Sequence, residues 1–219
     1  MKLIDLSLTI DNCCMTCGTP WHQEVAVERM GTVADVGRNT SRLLLGSHTA
    51  THMDAPLHFF EEGYGIDEVA LSDCVGAVSC IDFTAKKAGE TVTLEDVRKL
   101  GVTRRMLFAF GWHRNWKTPR YYKQFPYFST EAVRFLLDGG MRFMALDTPS
   151  PDDGSAIQKV GGEGDSPNHK LLLSHGVVLV EYLTRTDEID FGKNHKIIAL
   201  PLKLKGVDGS PARVVLEEE

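Results

Sequence analysis

The chain has 219 residues, 42% hydrophobic and 25% charged, with a formal net charge of −6. This length suits one domain with a full core, the composition excludes a disordered or collagen-like polymer, and the acidic balance, with no Lys/Arg block, speaks against a nucleic-acid partner. No run approaches the roughly 18 apolar residues of a membrane span, the start has no signal-peptide core, and an odd count of five cysteines fits a reducing compartment, so a cytoplasmic protein is expected.

In chain order, short runs rich in Val, Ile, Leu and Phe predict strands over residues 3–10, 24–30, 42–45, 75–83, 106–110, 142–146, 177–183, 197–202 and 212–216. Helices are predicted over 94–100, capped by Thr93 with Asp96 at the N3 place, and over 130–138, capped by Ser129 and stopped by Gly139. A third, shorter helix is predicted over 168–174. Strands outnumber helices, which predicts a single α/β domain over residues 1–219, built of mostly β layers.

Two long connections carry more than linker residues. The first, 110–129, holds Trp112, His113, Trp116, Tyr121, Tyr122, Phe125, Tyr127 and Phe128, a density that suggests a packed lid or a subunit contact. The second opens with Asp147-Thr148-Pro149-Ser150-Pro151-Asp152-Asp153, which is turn chemistry with spare carboxylates. Cys13, Cys14 and Cys17 form a CxxC-like cluster without the second pair of a structural zinc site. They read as reduced thiols near a loop, with a redox or auxiliary metal role as the alternative.

The most informative segment is Ser47-His48-Thr49-Ala50-Thr51-His52-Met53-Asp54-Ala55-Pro56-Leu57-His58-Phe59, which gathers three of the eight histidines and a carboxylate. Neutral imidazole and anionic carboxylate together suit first-row divalent ions. Pro56 forbids one continuous helix here. His48 and His52 can face one centre across a turn, and His52 and Asp54 share a face in extended chain. Glu181 interrupts the otherwise apolar run Val177-Val178-Leu179-Val180-Glu181-Tyr182-Leu183. A carboxylate buried there costs several kcal/mol unless a cation or full set of donors meets it; the alternative is an exposed face of an edge strand. His169 lies twelve residues upstream of Glu181, at the start of the third predicted helix.

His48, Thr51, His52, Asp54, Pro56, His58 and Phe59 resemble the signature of the metal-dependent cyclase family, which includes bacterial kynurenine formamidases and is related to isatin hydrolases. Ala50 stands where that pattern has glycine, which matters if the backbone there needs a positive φ. The resemblance extends to Asp147 to Asp152, to Asn168-His169 and to Val180 to Leu183. It implies a swivelling β/β/α fold, a homodimer or homotetramer, and one or two divalent ions, Zn²⁺ in first place and Mn²⁺ in second. It further implies that His48, His52 and Asp54 hold a first ion, that Asp54 and Glu181 bridge to a second which His169 also binds, that His58 is the general acid/base, and that Trp21 lines the substrate pocket.

Chemistry and resemblance converge on hydrolysis by an activated water, with His58 moving the proton. No Gly-x-Ser-x-Gly elbow offers a serine route. The aromatic residues suit a planar small-molecule substrate, and the expected reaction is cleavage of an aryl formamide such as N-formylkynurenine. The alternatives are opening of a cyclic amide or lactone such as isatin, and a non-catalytic, metal-stabilised binding protein. A purely structural site has no use for a titrating His58 beside its ligands.

Overall fold

A computed structural model describes residues 1–19, 22–155 and 159–219. Its strands are β1 (Lys2–Asp5), β2 (Ala26–Gly31), β3 (Thr40–Leu44), β4 (His52–Asp54), β5 (Val75–Asp82), β6 (Thr91–Val92), β7 (Arg105–Ala109), β8 (Tyr127–Phe128), β9 (Phe143–Leu146), β10 (Val178–Glu181), β11 (His195–Pro201) and β12 (Gly209–Glu218). The helices are α1 (Val33–Val36), α2 (Leu71–Cys74), α3 (Leu94–Arg98), α4 (Thr130–Asp138) and α5 (Pro167–Ser174).

Eight strands form one sheet in the order β1-β12-β11-β5-β7-β9-β10-β4, and a further pairing of β12 with β4 closes seven of them into a barrel-like ring. The central pairs β5–β7, β7–β9 and β9–β10 are parallel, whereas β4 and β11 join antiparallel. Parallel strands are covered on both faces and therefore read as unbroken apolar runs. Alternate residues supply two cores: Met106, Phe108, Met144 and Leu179 face the helices, while Leu107, Phe143, Val178 and Val180 fill the ring. The fold is thus mixed α/β and rich in strands, as expected.

The predicted helices form with their predicted caps. Thr93 and Asp96 make a reciprocal capping box on α3, and Ser129 accepts from Ala132 N on α4. In α4, Ala132, Val133, Leu136 and Leu137 are buried. Two expectations need correction. Trp112, Tyr121, Phe125 and Phe128 of the aromatic connection are 5% exposed or less and belong to the helix-side core, because indole and phenol rings bury more apolar area than a loop leaves wet. Asp147 and Asp152 are fully buried, so neither carboxylate is spare.

Candidate metal centre

Strand β4 is only three residues long, yet both its neighbours are fixed: Glu181 of β10 lies opposite His52 and Leu179 opposite Asp54. With side chains alternating, His52, Asp54 and Glu181 share the face that Leu179 buries against the helices, and Met53 and Val180 point into the ring. The exposed-edge reading of Glu181 fails, since its residue exposure is 4%. Helix α5 packs against β10 and brings His169 over the same spot. Asp152 organises that helix: its oxygens accept from the backbone N–H groups of Asn168 (2.7 Å) and His169 (3.0 Å) and from His169 Nδ1 (2.7 Å). A carboxylate thus caps the open donors of the first turn and turns His169 Nε2 toward Glu181.

The donor atoms converge. Asp54 Oδ1 lies 2.9 Å from His48 Nδ1 and 3.3 Å from His52 Nε2, and Asp54 Oδ2 lies 3.6 Å from His169 Nε2. Glu181 Oε1 is 3.1 Å from His169 Nε2, and Oε2 is 3.5 Å from His52 Nε2. Despite this crowding, Asp54 Oδ1, Asp54 Oδ2 and Glu181 Oε1 are buried and accept no hydrogen bond from the described residues. Two ligands at about 2.1 Å from a tetrahedral ion stand roughly 3.4 Å apart. The contacts scatter around this ligand-to-ligand spacing, and buried carboxylate oxygens left without donors are what a cation satisfies. The donor set fits a divalent ion.

Each imidazole has its outward nitrogen committed. His52 Nδ1 donates to Ala50 O at 2.7 Å, leaving Nε2 to face the carboxylates. Ala50 adopts φ 53°, so the backbone here is left-handed; the alanine bears the strain that glycine avoids. Asp208, on the turn between β11 and β12, accepts through Oδ2 from His48 Nε2 at 2.7 Å and from His58 Nδ1 at 3.2 Å. The turn Pro56–His58 places His58. Ligand atoms of His48, Asp54 and His58 lie within 4.8 Å of one another, as do those of His52, Asp54 and Glu181.

The electrostatics follow from this packing. Burial opposes a charge on His48, His52 and His169, but the surrounding carboxylates outweigh it and raise all three, His52 to about 10. Burial likewise opposes ionised Asp54 and is overcome by His48 and His52, which hold its carboxyl well below the usual range. His58 is lowered by burial, with Asp208 pulling the other way. Protons on imidazoles therefore balance the carboxylates until a metal ion replaces them.

A cavity of about 280 Å³ opens onto the cluster, walled by Phe59, Tyr122, Tyr182, Cys17 and His22 besides the donors. Tyr182 has φ 60°, and its carbonyl accepts from Thr51 Oγ1 at 2.6 Å. The structure brings His48, His52, Asp54, His58, His169 and Glu181 together. Trp21 lies outside the described residues. Sequence reasoning missed Asp208 and His22 as site residues, whereas Tyr122 belongs to the aromatic set expected to suit a planar substrate. Asp208 sits in Gly206-Val207-Asp208-Gly209, which reads as an ordinary turn and carries no other signal.

Comparison with known proteins agrees with this architecture. The Cyclase family model, described as "Putative cyclase", matches residues 4–153. A kynurenine formamidase of Bacillus cereus (strain ATCC 10987 / NRS 248) is 30% identical, covering 97% of this chain and 96% of that protein. Among solved structures, isatin hydrolase A from Ralstonia solanacearum superposes with a TM-score of 0.85 at 22% identity, covering 98% of this chain and 91% of the other, a likeness of fold. A potential metal-dependent hydrolase with cyclase activity has a TM-score of 0.74 at 28% identity, covering 98% and 96%. The buried donor cluster, the strand-rich ring that holds it and these matches lead to one conclusion: the chain belongs to the cyclase family.

Proposed function

We propose that this chain hydrolyses an aryl formamide, with N-formylkynurenine, yielding kynurenine and formate, as the first substrate to test. The chain is a metal-dependent amide hydrolase acting on a carbon–nitrogen bond, in line with its full-length relatives. The observation that carries the assignment is the set of buried, undonated oxygens of Asp54 and Glu181 faced by His48, His52 and His169. These five residues hold the divalent ion or ions; the mixed nitrogen and oxygen donors favour Zn²⁺ first and Mn²⁺ second. A bound ion of this kind lowers the pKa of water toward neutrality and polarises a carbonyl.

The remaining work falls to the chain's own groups. Asp208 accepts the Nδ1 proton of His58, which leaves Nε2 free to take a proton from the attacking water and hand it to the departing aniline nitrogen. Phe59, Tyr122 and Tyr182 wall the cavity and offer flat apolar contact to the aryl ring. His48 Nε2 shares Asp208 with His58, so one carboxylate fixes the orientation of both a ligand and the proton carrier. Trp21 is proposed to line the same pocket. The protein is further proposed to act in the cytoplasm as a homodimer or homotetramer; the exposed Met30, Val33, Val36 and Leu43 of the β2–β3 arm offer apolar surface for a second copy. No helix among the described residues is long and apolar enough to cross a membrane.

The test is a formate assay on metal-loaded protein with N-formylkynurenine, isatin and a lactone side by side. Formate release that chelation abolishes and Zn²⁺ or Mn²⁺ restores supports the proposal. Turnover of isatin alone would transfer the site to cyclic amides.

A further inference from the structure

The metal cluster borders two cavities, and the chemistry described above uses only the larger. The smaller, about 210 Å³, includes Gln23, Ser47 and Asp208 in its wall and shares His22, His48, His58 and Tyr182 with the cavity of about 280 Å³. His58 therefore stands where the two meet. A substrate whose scissile bond lies at His58 and whose ring rests on Phe59 and Tyr182 has the smaller cavity within reach of its remaining substituent.

The charge around both cavities is one-sided. Asp54, Glu181 and Asp165 line the larger and Asp208 the smaller, and no lysine or arginine among the described residues lines either. Residues 20–21 and 156–158, outside that set, are Pro-Trp and Ala-Ile-Gln and bring no charge. Lys170 lies over the Phe59 ring at 5.5 Å, but Asp165 holds its ammonium through Oδ2 at 3.1 Å and the backbone carbonyl at 2.7 Å. His22 is neutral, since burial, with the imidazoles of His48, His52 and His58 behind it, holds its pKa down to about 4. A bound divalent ion offsets Asp54 and Glu181. Asp208 lies behind the ligands, against the outward nitrogens of His48 and His58, and its side chain keeps 35% of its surface exposed.

We propose that the smaller cavity takes a substrate tail ending in an ammonium group, so that amine-bearing aryl formamides are preferred over carboxylate-bearing ones. Asp208 supplies the opposite charge. A carboxylate tail in the same place loses water, meets Asp208 and finds no cation. N-formylkynurenine, which carries both groups, is accepted through its ammonium. The aryl formamide core rests on the function proposed above; the charge preference of the cavity does not.

The experiment compares three aryl formamides on metal-loaded, full-length protein, identical except that an ortho acyl chain ends in an ammonium, an amide or a carboxylate. Formate release should give kcat/KM falling in that order, with the ammonium compound ahead of the carboxylate by about ten-fold at low salt and by less at high salt. The difference should lie in KM, because a tail remote from the reacting carbonyl binds alike in ground and transition states. Gln23 is exposed, its side chain donating to Glu24 O at 3.0 Å, and allows charge to be placed in the wall. Gln23→Lys should cancel or reverse the preference and Gln23→Glu enlarge it. A carboxylate compound cleaved by wild type as efficiently as the ammonium one, or a preference that neither Gln23 variant moves, overturns the proposal. Failure of all three to release formate counts against the formamidase reading instead. The corresponding free anilines, titrated calorimetrically into the same protein, then decide the tail preference: tighter binding of the ammonium compound, lost in Gln23→Lys, supports it, and equal binding of all three overturns it.

Discussion

Replacing Asp54 by Asn keeps the shape of the side chain and removes the charge that His48, His52 and His169 face. Asp54→Asn is expected to lose metal in elemental analysis and with it nearly all turnover. Thermal stability should fall too, because a ligand present at about 100 times its Kd adds roughly 2.7 kcal/mol to the folded state. His58→Gln should behave differently, keeping its metal while kcat drops by about 10² to 10⁴; parallel loss of metal would make His58 a ligand, as its proximity to His48 and Asp54 allows. Asp208→Asn should cost about 10- to 100-fold in metal affinity or kcat, since a neutral amide oxygen holds the two imidazole N–H groups that share Oδ2 more weakly than a carboxylate does. The difference in legibility between these residues is physical. His48, His52, Asp54 and His58 crowd into one short segment, and Glu181 breaks an apolar run. Asp208 and Asp152 act on imidazoles 160 and 17 residues away, and a lone Asp in a turn looks the same whether or not it does so.

At the level of elements, the long apolar strands and the capped helices were readable because burial on both faces and N-cap chemistry leave local traces. Strand β4 was not. Its three residues, His52-Met53-Asp54, are held by pairing to β10 and β12, contacts made by residues far away in the chain. Two substitutions separate scaffold from site. Ser129→Ala removes the cap of α4 and should cost about 1 kcal/mol in urea unfolding, with kcat and metal content unchanged. Asp152→Asn, in contrast, weakens both the N-terminus of α5 and the aim of His169, so unfolding midpoint and metal occupancy should fall together. Retention of full occupancy in Asp152→Asn would mean that His169 needs no carboxylate to hold its ring.

For the molecule as a whole, the balance of charge in the helix-side donor cluster links metal loading to pH. Without metal, His52 is pushed up to about 10 and His169 well above the ordinary imidazole value by the carboxylates around them, with His48 raised in the same direction, so the cluster holds protons that an incoming cation must expel. The sign follows: proton release accompanies loading, and apparent metal affinity rises with pH. Calorimetry in buffers of different ionisation enthalpy, with Zn²⁺ titrated into metal-free protein near neutrality, should show proton release; its absence would mean that the imidazoles are already neutral. Metal dependence and formamide cleavage can be read together in one sample. Metal content and formate release from N-formylkynurenine are followed while a chelator strips the protein and Zn²⁺ is added back. Turnover is expected to track bound metal in both directions, and Asp54→Asn to stay inactive at every metal concentration at which wild type is saturated. Formate release that persists in fully stripped protein, or in Asp54→Asn without bound metal, would contradict this dependence on metal.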